Sequence, residues 1–202
     1  MTLPQLPGCE GRDGGHTSTF PRQARSGVSW STDSSGNSPN HEACPYARIR
    51  EGEAMNYVAQ VSGRGTGVYH VAHGAADSPP VFIEGDRVFG GKGRAAGPFE
   101  HLLSALGACC QITAQIVAQS RGWTVRGFRS TTVAQFDNAV LVRGLPGTSR
   151  FRSVDIEIAV ESDLTPQQIH DLGIEVERRC PVYQLFLAAG TPVTSSWSST
   201  GQ

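Results

Sequence analysis

From Pro98 to about Ser120 the sequence reads PFEHLLSALGACCQITAQIVAQS, and this segment constrains the fold more than any other. Pro98 suits the first turn of a helix, where a missing N–H leaves no hydrogen bond unmade. Leu102, Leu106, Cys109, Thr113 and Ile116 then recur at spacings of three and four, the period of one helical face. Leu103, Ala114 and Val117 make the opposite side apolar as well, so the helix is expected to be buried nearly all round. Arg121-Gly122 ends it. A helix of this kind needs cover on several sides, and the flanking segments must supply it.

Those segments read mainly as strands. YVAQV, VYHVAH and PVFIEG precede the helix as short β-rich runs separated by Gly, Asp, Ser and Pro. GFRSTTVAQFD and FRSVDIEIAVES follow it. The second alternates cleanly, with Val154, Ile156, Ile158 and Val160 on one face and Asp155, Glu157 and Ala159 on the other. Thr165-Pro166-Gln167-Gln168 opens a second helix: a Thr N-cap, Pro at the first position, and Gln three residues after the cap. Its apolar stripe is Ile169, Leu172, Val176 and Cys180. Pro181 breaks or kinks it. VYQLFLAAG continues as a short third helix, and TPVTSSW reads as a last strand. Strands, helix, strands, helix pair and strand make an α+β order.

The remaining features narrow the class. Residues 1–54 are rich in Gly, Ser and Pro and lack an apolar period, so they are expected to be a disordered extension ahead of one domain at 55–202. Met55, where alternation begins, is a candidate natural start. A net charge of -1 without a clustered Lys/Arg face speaks against nucleic acid as a partner. No apolar run approaches the ~20 residues of a membrane span. The first residues lack the basic start and apolar block of a secretory signal, so a cytoplasmic location with no membrane partner is expected. GRGTG at 63–67 and GGKGRAAG at 90–97 lack the spacing of nucleotide-binding loops and are expected to be hairpin or connecting loops. His70 and His73 fall on opposite faces of a strand, and no Cys-x-x-Cys occurs, so neither a metal nor another cofactor is expected.

That leaves the cysteines. Five in 202 residues is unlike a secreted disulfide framework. Cys109, three turns into the apolar helix, and Cys180, at a helix end before Pro, can be read simply as small buried residues. Their surroundings say more. GPFEHLLSALGAC at 97–109, RGW at 121–123 and ERRCPV at 177–182 together resemble the OsmC/Ohr family of peroxide reductases, in order and spacing, over about residues 55–198. The resemblance implies an OsmC-like α+β fold, antiparallel sheets packed around two central helices in an intertwined homodimer. It also implies reduction of organic hydroperoxides. Cys109 would attack the peroxide and become a sulfenic acid; Cys180 would condense with it to a disulfide, which an external dithiol such as a lipoyl-bearing protein reopens. The alternative is a non-catalytic dimer of the same fold that holds a small apolar ligand. A hydrolase using Cys109 with a histidine base is poorer, because His101 sits about 12 Å away along the helix.

A free thiol ionises near 8.5, so Cys109 needs an anion-stabilising partner. It lies too deep in its helix for the N-terminal dipole. The family uses an arginine from the preceding loop, which Arg87 matches best through the run Arg87-Val-Phe-Gly-Gly-Lys-Gly; Arg94 is the second candidate. Glu100 is the candidate for the family glutamate that orients this arginine. It stands one residue later than the family position, which Phe99 occupies, and on a regular helix it points away from Cys109. Cys110, one residue on from Cys109, turns 100° away and is expected to be a bystander.

Overall fold

The computed structural model describes residues 58–74 and 78–200, all within one compact unit. The expectations for residues 1–54 and for a start at Met55 lie outside the described residues. In chain order the elements are β1 (Ser62–Thr66), β2 (Tyr69–His73), β3 (Val81–Glu84), a 3₁₀ turn at Arg87–Phe89, α1 (Pro98–Ser120), β4 (Val125–Phe136), α2 (Ala139–Arg143), β5 (Phe151–Ser162), α3 (Pro166–Arg179), α4 (Pro181–Ala188) and β6 (Val193–Thr200). They form two three-stranded sheets, β1-β2-β3 and β4-β5-β6, beside a group of helices. The α+β class expected from the order of elements is the one observed.

In the first sheet the strand lies one segment later than expected. GRGTG, read as a loop, supplies most of β1, while residues 58–61 of YVAQV precede it without strand structure. The register explains the difference. Ser62 already pairs with His73, the last residue of β2, so anything upstream has no partner strand. Glycine is required on this strand at Gly65, where an added Cβ would lie 2.6 Å from the Tyr69 carbonyl oxygen, while at Gly63 it would meet the movable His70 ring. Gly67, at φ +59, then makes the hairpin turn that an L side chain would strain.

The second sheet carries the core. Val154, Ile156, Ile158 and Val160 are all buried on one face of β5, as the alternation predicts. β4 and β5 pair antiparallel from Val125↔Ser162 to Phe136↔Phe151. β5 and β6 pair parallel, from Val154↔Val193 to Glu161↔Thr200, which corrects the expectation of antiparallel sheets throughout. The cause is the crossover: α3 and α4 carry the chain back to the end at which β5 began, so β6 must run with it. α2 was not legible as a helix; it is a single turn begun by Asp137 Oδ1, which accepts from the Ala139 N–H at 2.9 Å.

The helices pack on that sheet. α3 has the capping box read from its sequence: Thr165 Oγ1 accepts from Gln168 N at 3.3 Å, and Gln168 Oε1 accepts from Thr165 N at 2.9 Å. Ile169, Leu172, Val176 and Cys180 are buried as one stripe. α1 packs against α3, α4 and β4. Its buried residues are Leu106, Gly107, Cys110, Thr113, Ala114, Val117 and Ala118, so the core-facing line runs through Cys110 rather than Cys109. Ala108, Gln111 and Ile112 are exposed, and α1 is therefore covered on one side, not all round. This chain's second sheet and helices reach only that side. By length and composition alone α1 is apolar enough to cross a membrane, and its buried stripe accounts for much of that character.

Close packing of α3 on β6 depends on Gly173, where an added Cβ would lie 2.8 Å from Trp197 Cδ1. Gly173→Ala is expected to push the indole aside and to lower stability by about 1–3 kcal/mol, read as a fall in the urea midpoint.

Candidate functional site

Cys180 occupies the joint between two helices. It is the C-cap of α3 and the N-cap of α4, with Pro181 opening the new helix where no N–H is needed. Its own N–H donates to the Val176 carbonyl at 2.8 Å, and its carbonyl accepts from the Gln184 N–H at 3.0 Å, which pins the backbone on both sides. The side chain is fully buried and points at α1. There it meets Cys110, sulfur to sulfur at 3.9 Å. Cys109 is half-buried and also hydrogen-bonds weakly toward the Cys180 sulfur. Three thiols thus share one place in the core.

Cys110 is buried, as a small residue on the core side of α1, and its sulfur also lies against Cys180, a contact not expected of it. Adjacent helical residues do turn 100° apart, but a sulfur seated over the groove between them is within reach of both. Cys110, the residue that sequence reasoning set aside, hydrogen-bonds to Cys180. The spacing fits a second stripe equally well, since Leu106, Cys110, Thr113 and Val117 also recur at four, three and four, and this is the stripe that is buried.

The three sulfurs differ electrostatically. The Cys180 thiol is pushed down to about 5, chiefly because Cys110 donates to it, with the Tyr183 N–H, the Cys109 thiol and the Val182 N–H adding to this against the cost of burial. The same contacts push the partners up: Cys110 because its proton is held in the bond to Cys180 and it is buried, Cys109 first because of burial. The shared contacts therefore favour the thiolate at Cys180 over its two neighbours. Burial also raises the nearby Tyr183 phenol to about 12.

The pH dependence of stability follows with a definite sign. An unfolded cysteine ionises near 8.5, so from about pH 5 to 8 the unfolded chain binds one proton more than the folded chain at Cys180. Stability of the reduced protein is expected to rise with pH across that window, by up to about 1.4 kcal/mol per unit. Above about pH 9 it is expected to fall, because the unfolded chain ionises the Cys109 and Cys110 thiols that the fold keeps protonated. Urea midpoints measured against pH test this, and Cys180→Ser should remove the rising limb.

The other expected site residues lie elsewhere. Arg87 is exposed in the 3₁₀ turn, and Glu100 is exposed in the first turn of α1. Nine residues of helix put Glu100 about 13 Å along the axis from Cys109. Among the described residues no hydrogen bond or ion pair links either of them to a cysteine. Arg94 is committed to another partner: its Nε and Nη2 donate to Glu84 Oε1 at 2.9 and 2.6 Å, its backbone N–H donates to Glu84 Oε2 at 2.7 Å, and its guanidinium lies 4.4 Å from the centre of the Tyr69 ring. These bonds hold the buried Glu84 carboxyl at about 2. Arg94 thus clamps β3 to the loop before α1. Glu84 was not singled out from the sequence, since a single acidic residue at a strand end has no distinguishing pattern.

An open cleft of about 980 Å³ lies apart from the sulfurs, lined by Tyr69, Ile83, Phe89, Phe99, Phe136 and Leu141 with Glu100 at its edge. No group of three His, Cys, Asp or Glu side chains suited to a metal ion is found among the described residues.

The family model described as OsmC-like protein matches residues 91–196, a span that includes all three clustered cysteines. The chain belongs to the OsmC-like family. Solved structures agree at the level of the fold. The OsmC-like protein from Mycoplasma pneumoniae superposes with a TM-score of 0.60 at 16% identity, covering 73% of this chain and 99% of that one. An organic hydroperoxide resistance protein from Elizabethkingia anophelis gives 0.58 at 13% identity over 74% of this chain and 100% of that one. The organic hydroperoxide resistance protein OsmC from Legionella pneumophila gives 0.57 at 15% identity, with 73% and 99% covered. No curated protein matches in sequence. The OsmC-like fold is thus the frame that brings α1 and the α3–α4 joint together, and the residues at that contact in this member are Cys109, Cys110 and Cys180.

Proposed function

We propose that this OsmC-like protein reduces organic hydroperoxides with its thiol cluster, in a homodimer located in the cytoplasm. The observation that carries the reading is the cluster itself: a buried, acidic Cys180 thiol in hydrogen-bonding range of Cys110 and beside the half-buried Cys109. Of the three sulfurs only Cys109 has appreciable exposure, so it is the one a peroxide can reach. Transfer of its proton to the Cys180 thiolate moves the negative charge to Cys109, which attacks the outer peroxide oxygen. The O–O bond breaks, the alkoxide leaves and takes a proton, and Cys109 becomes a sulfenic acid. Cys180 then attacks the sulfenic sulfur, water leaves, and a Cys109–Cys180 disulfide results. An external dithiol, such as a lipoyl group on a partner protein, reopens it. No metal or organic cofactor enters these steps.

A cation at Cys109 would hold the charge there, and Arg87 is the residue for the task, with Glu100 orienting it. Arg87 is exposed and forms no ion pair among the described residues, and the uncovered side of α1 is the side a second copy would occupy. Arg94, held by Glu84, is the poorer candidate. The test is steady-state consumption of an alkyl hydroperoxide with a dithiol donor. Turnover that requires Cys109 supports the reading, and full activity in Cys109→Ser overturns it. The apolar cleft favours one second reading, a dimer that holds a small apolar ligand without redox turnover. Stoichiometric hydroperoxide separates the two: two thiols per chain are lost in the peroxidase, and none in the binder.

A further inference from the structure

The mechanism above leaves Cys110 without a task, although its thiol donates to the Cys180 sulfur at 3.9 Å. We propose that Cys110 is a second resolving residue, which takes over the disulfide from Cys109 and leaves a Cys110–Cys180 bridge in the core. This deepens the peroxidase reading and rests on it for the source of the first disulfide.

The geometry supplies the step. Cys110 Sγ stands 3.9 Å from Cys180 Sγ, so an approach of about 2 Å gives the length of an S–S bond. Cys180 has fixed backbone hydrogen bonds, and Cys110 is held in the packed stripe of α1, so each sulfur already faces the other. When Cys109 and Cys180 are joined, Cys180 no longer holds the Cys110 proton in a hydrogen bond to its own charge; Cys110 gives up that proton and its sulfur attacks Cys180 Sγ. The Cys110–Cys180 bond forms, the Cys109–Cys180 bond breaks, and the electron pair leaves on Cys109, which takes up the proton that Cys110 gave. The exchange is redox-neutral and needs no further reactant.

Two considerations give its direction. A thiol–disulfide equilibrium leaves the free thiolate on the sulfur that bears charge more easily, and half-buried Cys109 does so better than buried Cys110. A disulfide is also neutral, so the core position suits it better than it suits an anion. The consequence is chemical. Cys109 returns as a free thiol at the accessible edge of the cluster while the oxidising equivalent is stored where an external dithiol cannot touch it. Reduction then has to run back through Cys109, which makes Cys109 the entry point for reductant as well as for peroxide.

The experiment maps the disulfide in the full reduced chain after one equivalent of oxidant. Trypsin yields residues 95–121, which hold both Cys109 and Cys110, and residues 180–202, which hold Cys180. Electron-transfer fragmentation between Cys109 and Cys110 then locates the bond. After alkyl hydroperoxide the linked pair should carry its bond at Cys110 over Cys109 by about ten to one or more, with Cys109 open to iodoacetamide without unfolding. A bond mainly at Cys109 overturns the inference. A second arm uses diamide, which accepts two electrons and two protons from a pair of thiols and needs no peroxidase chemistry. Folded Cys109→Ala treated with diamide should form the Cys110–Cys180 bridge, located on the tryptic peptides 95–121 and 180–202; Cys110 and Cys180 both still open to alkylation after diamide overturn it. Failure of the peroxidase reading is seen separately, as thiols left intact by hydroperoxide, and the diamide arm then decides this inference alone.

Discussion

Replacing Cys109 with serine is expected to lower hydroperoxide turnover by about a thousandfold or more, because the attacking atom is lost and a serine hydroxyl at neutral pH is no substitute for a thiolate. Cys180→Ser should behave differently. Cys109 can still be oxidised once, so a single equivalent of peroxide is consumed and a sulfenic acid accumulates, which further peroxide drives to the irreversible sulfinic and sulfonic states. Turnover with a dithiol falls while the first oxidation remains visible by trapping with a sulfenic-acid reagent. Cys180→Ser also removes the low-lying acid of the cluster, so that first oxidation should become slow below about pH 8. Equal loss at every stage in both variants would mean that the two sulfurs do not have these separate roles. Arg87→Ala belongs to the same series: it should raise the pH needed for oxidation of Cys109 without changing the number of thiols lost.

The second large effect is on stability. Leu106→Ala is expected to cost about 2–5 kcal/mol, in the upper part of that range if the site does not collapse. Leu106 is 0% exposed in the core formed by α1, β5 and α3, one turn before Cys110 on the same face. Four side-chain heavy atoms there become one, and both the transfer free energy and the contacts lining the cavity are lost. Chemical denaturation measures the cost. Ile112→Ala on the same helix is the internal comparison: Ile112 is 60% exposed, and its loss should be much smaller in the isolated chain. A large effect at Ile112 would show that the uncovered side of α1 is packed against a second copy in solution.

How far the sequence reached can be judged from particular residues. The Thr165–Gln168 box was readable because both halves of the interaction lie within four residues and neither depends on the rest of the chain. The β5 alternation was readable because a strand with one buried face has a period of two whatever covers it. Gly63 and Gly65 misled, since glycines suggest turns, and only the pairing with β2 reveals the close approach of the Tyr69 carbonyl to Gly65. The parallel direction of β6 misled as well, because direction depends on where a helix pair returns the chain. On α1 the apolar residues allowed two stripes, one through Cys109 and one through Cys110, and local spacing could not choose between them.

The sequence by itself determined the class of the fold, the helix start at Pro98, the capped start of α3, the break at Pro181, and the presence of cysteines on α1 and at the α3–α4 joint. Each follows from local physics: backbone freedom, capping or hydrophobic period. Tertiary structure alone decided how the three sulfurs share their charge. The side of α1 that faces the core is set by where α3, α4 and the second sheet come to rest on it, and that contact brings Cys110 to 3.9 Å from Cys180 and leaves Cys109 at the edge. A thiol's acidity depends on its burial and on the donors around it, and the chief donor here, Cys110, lies 70 positions away in the chain.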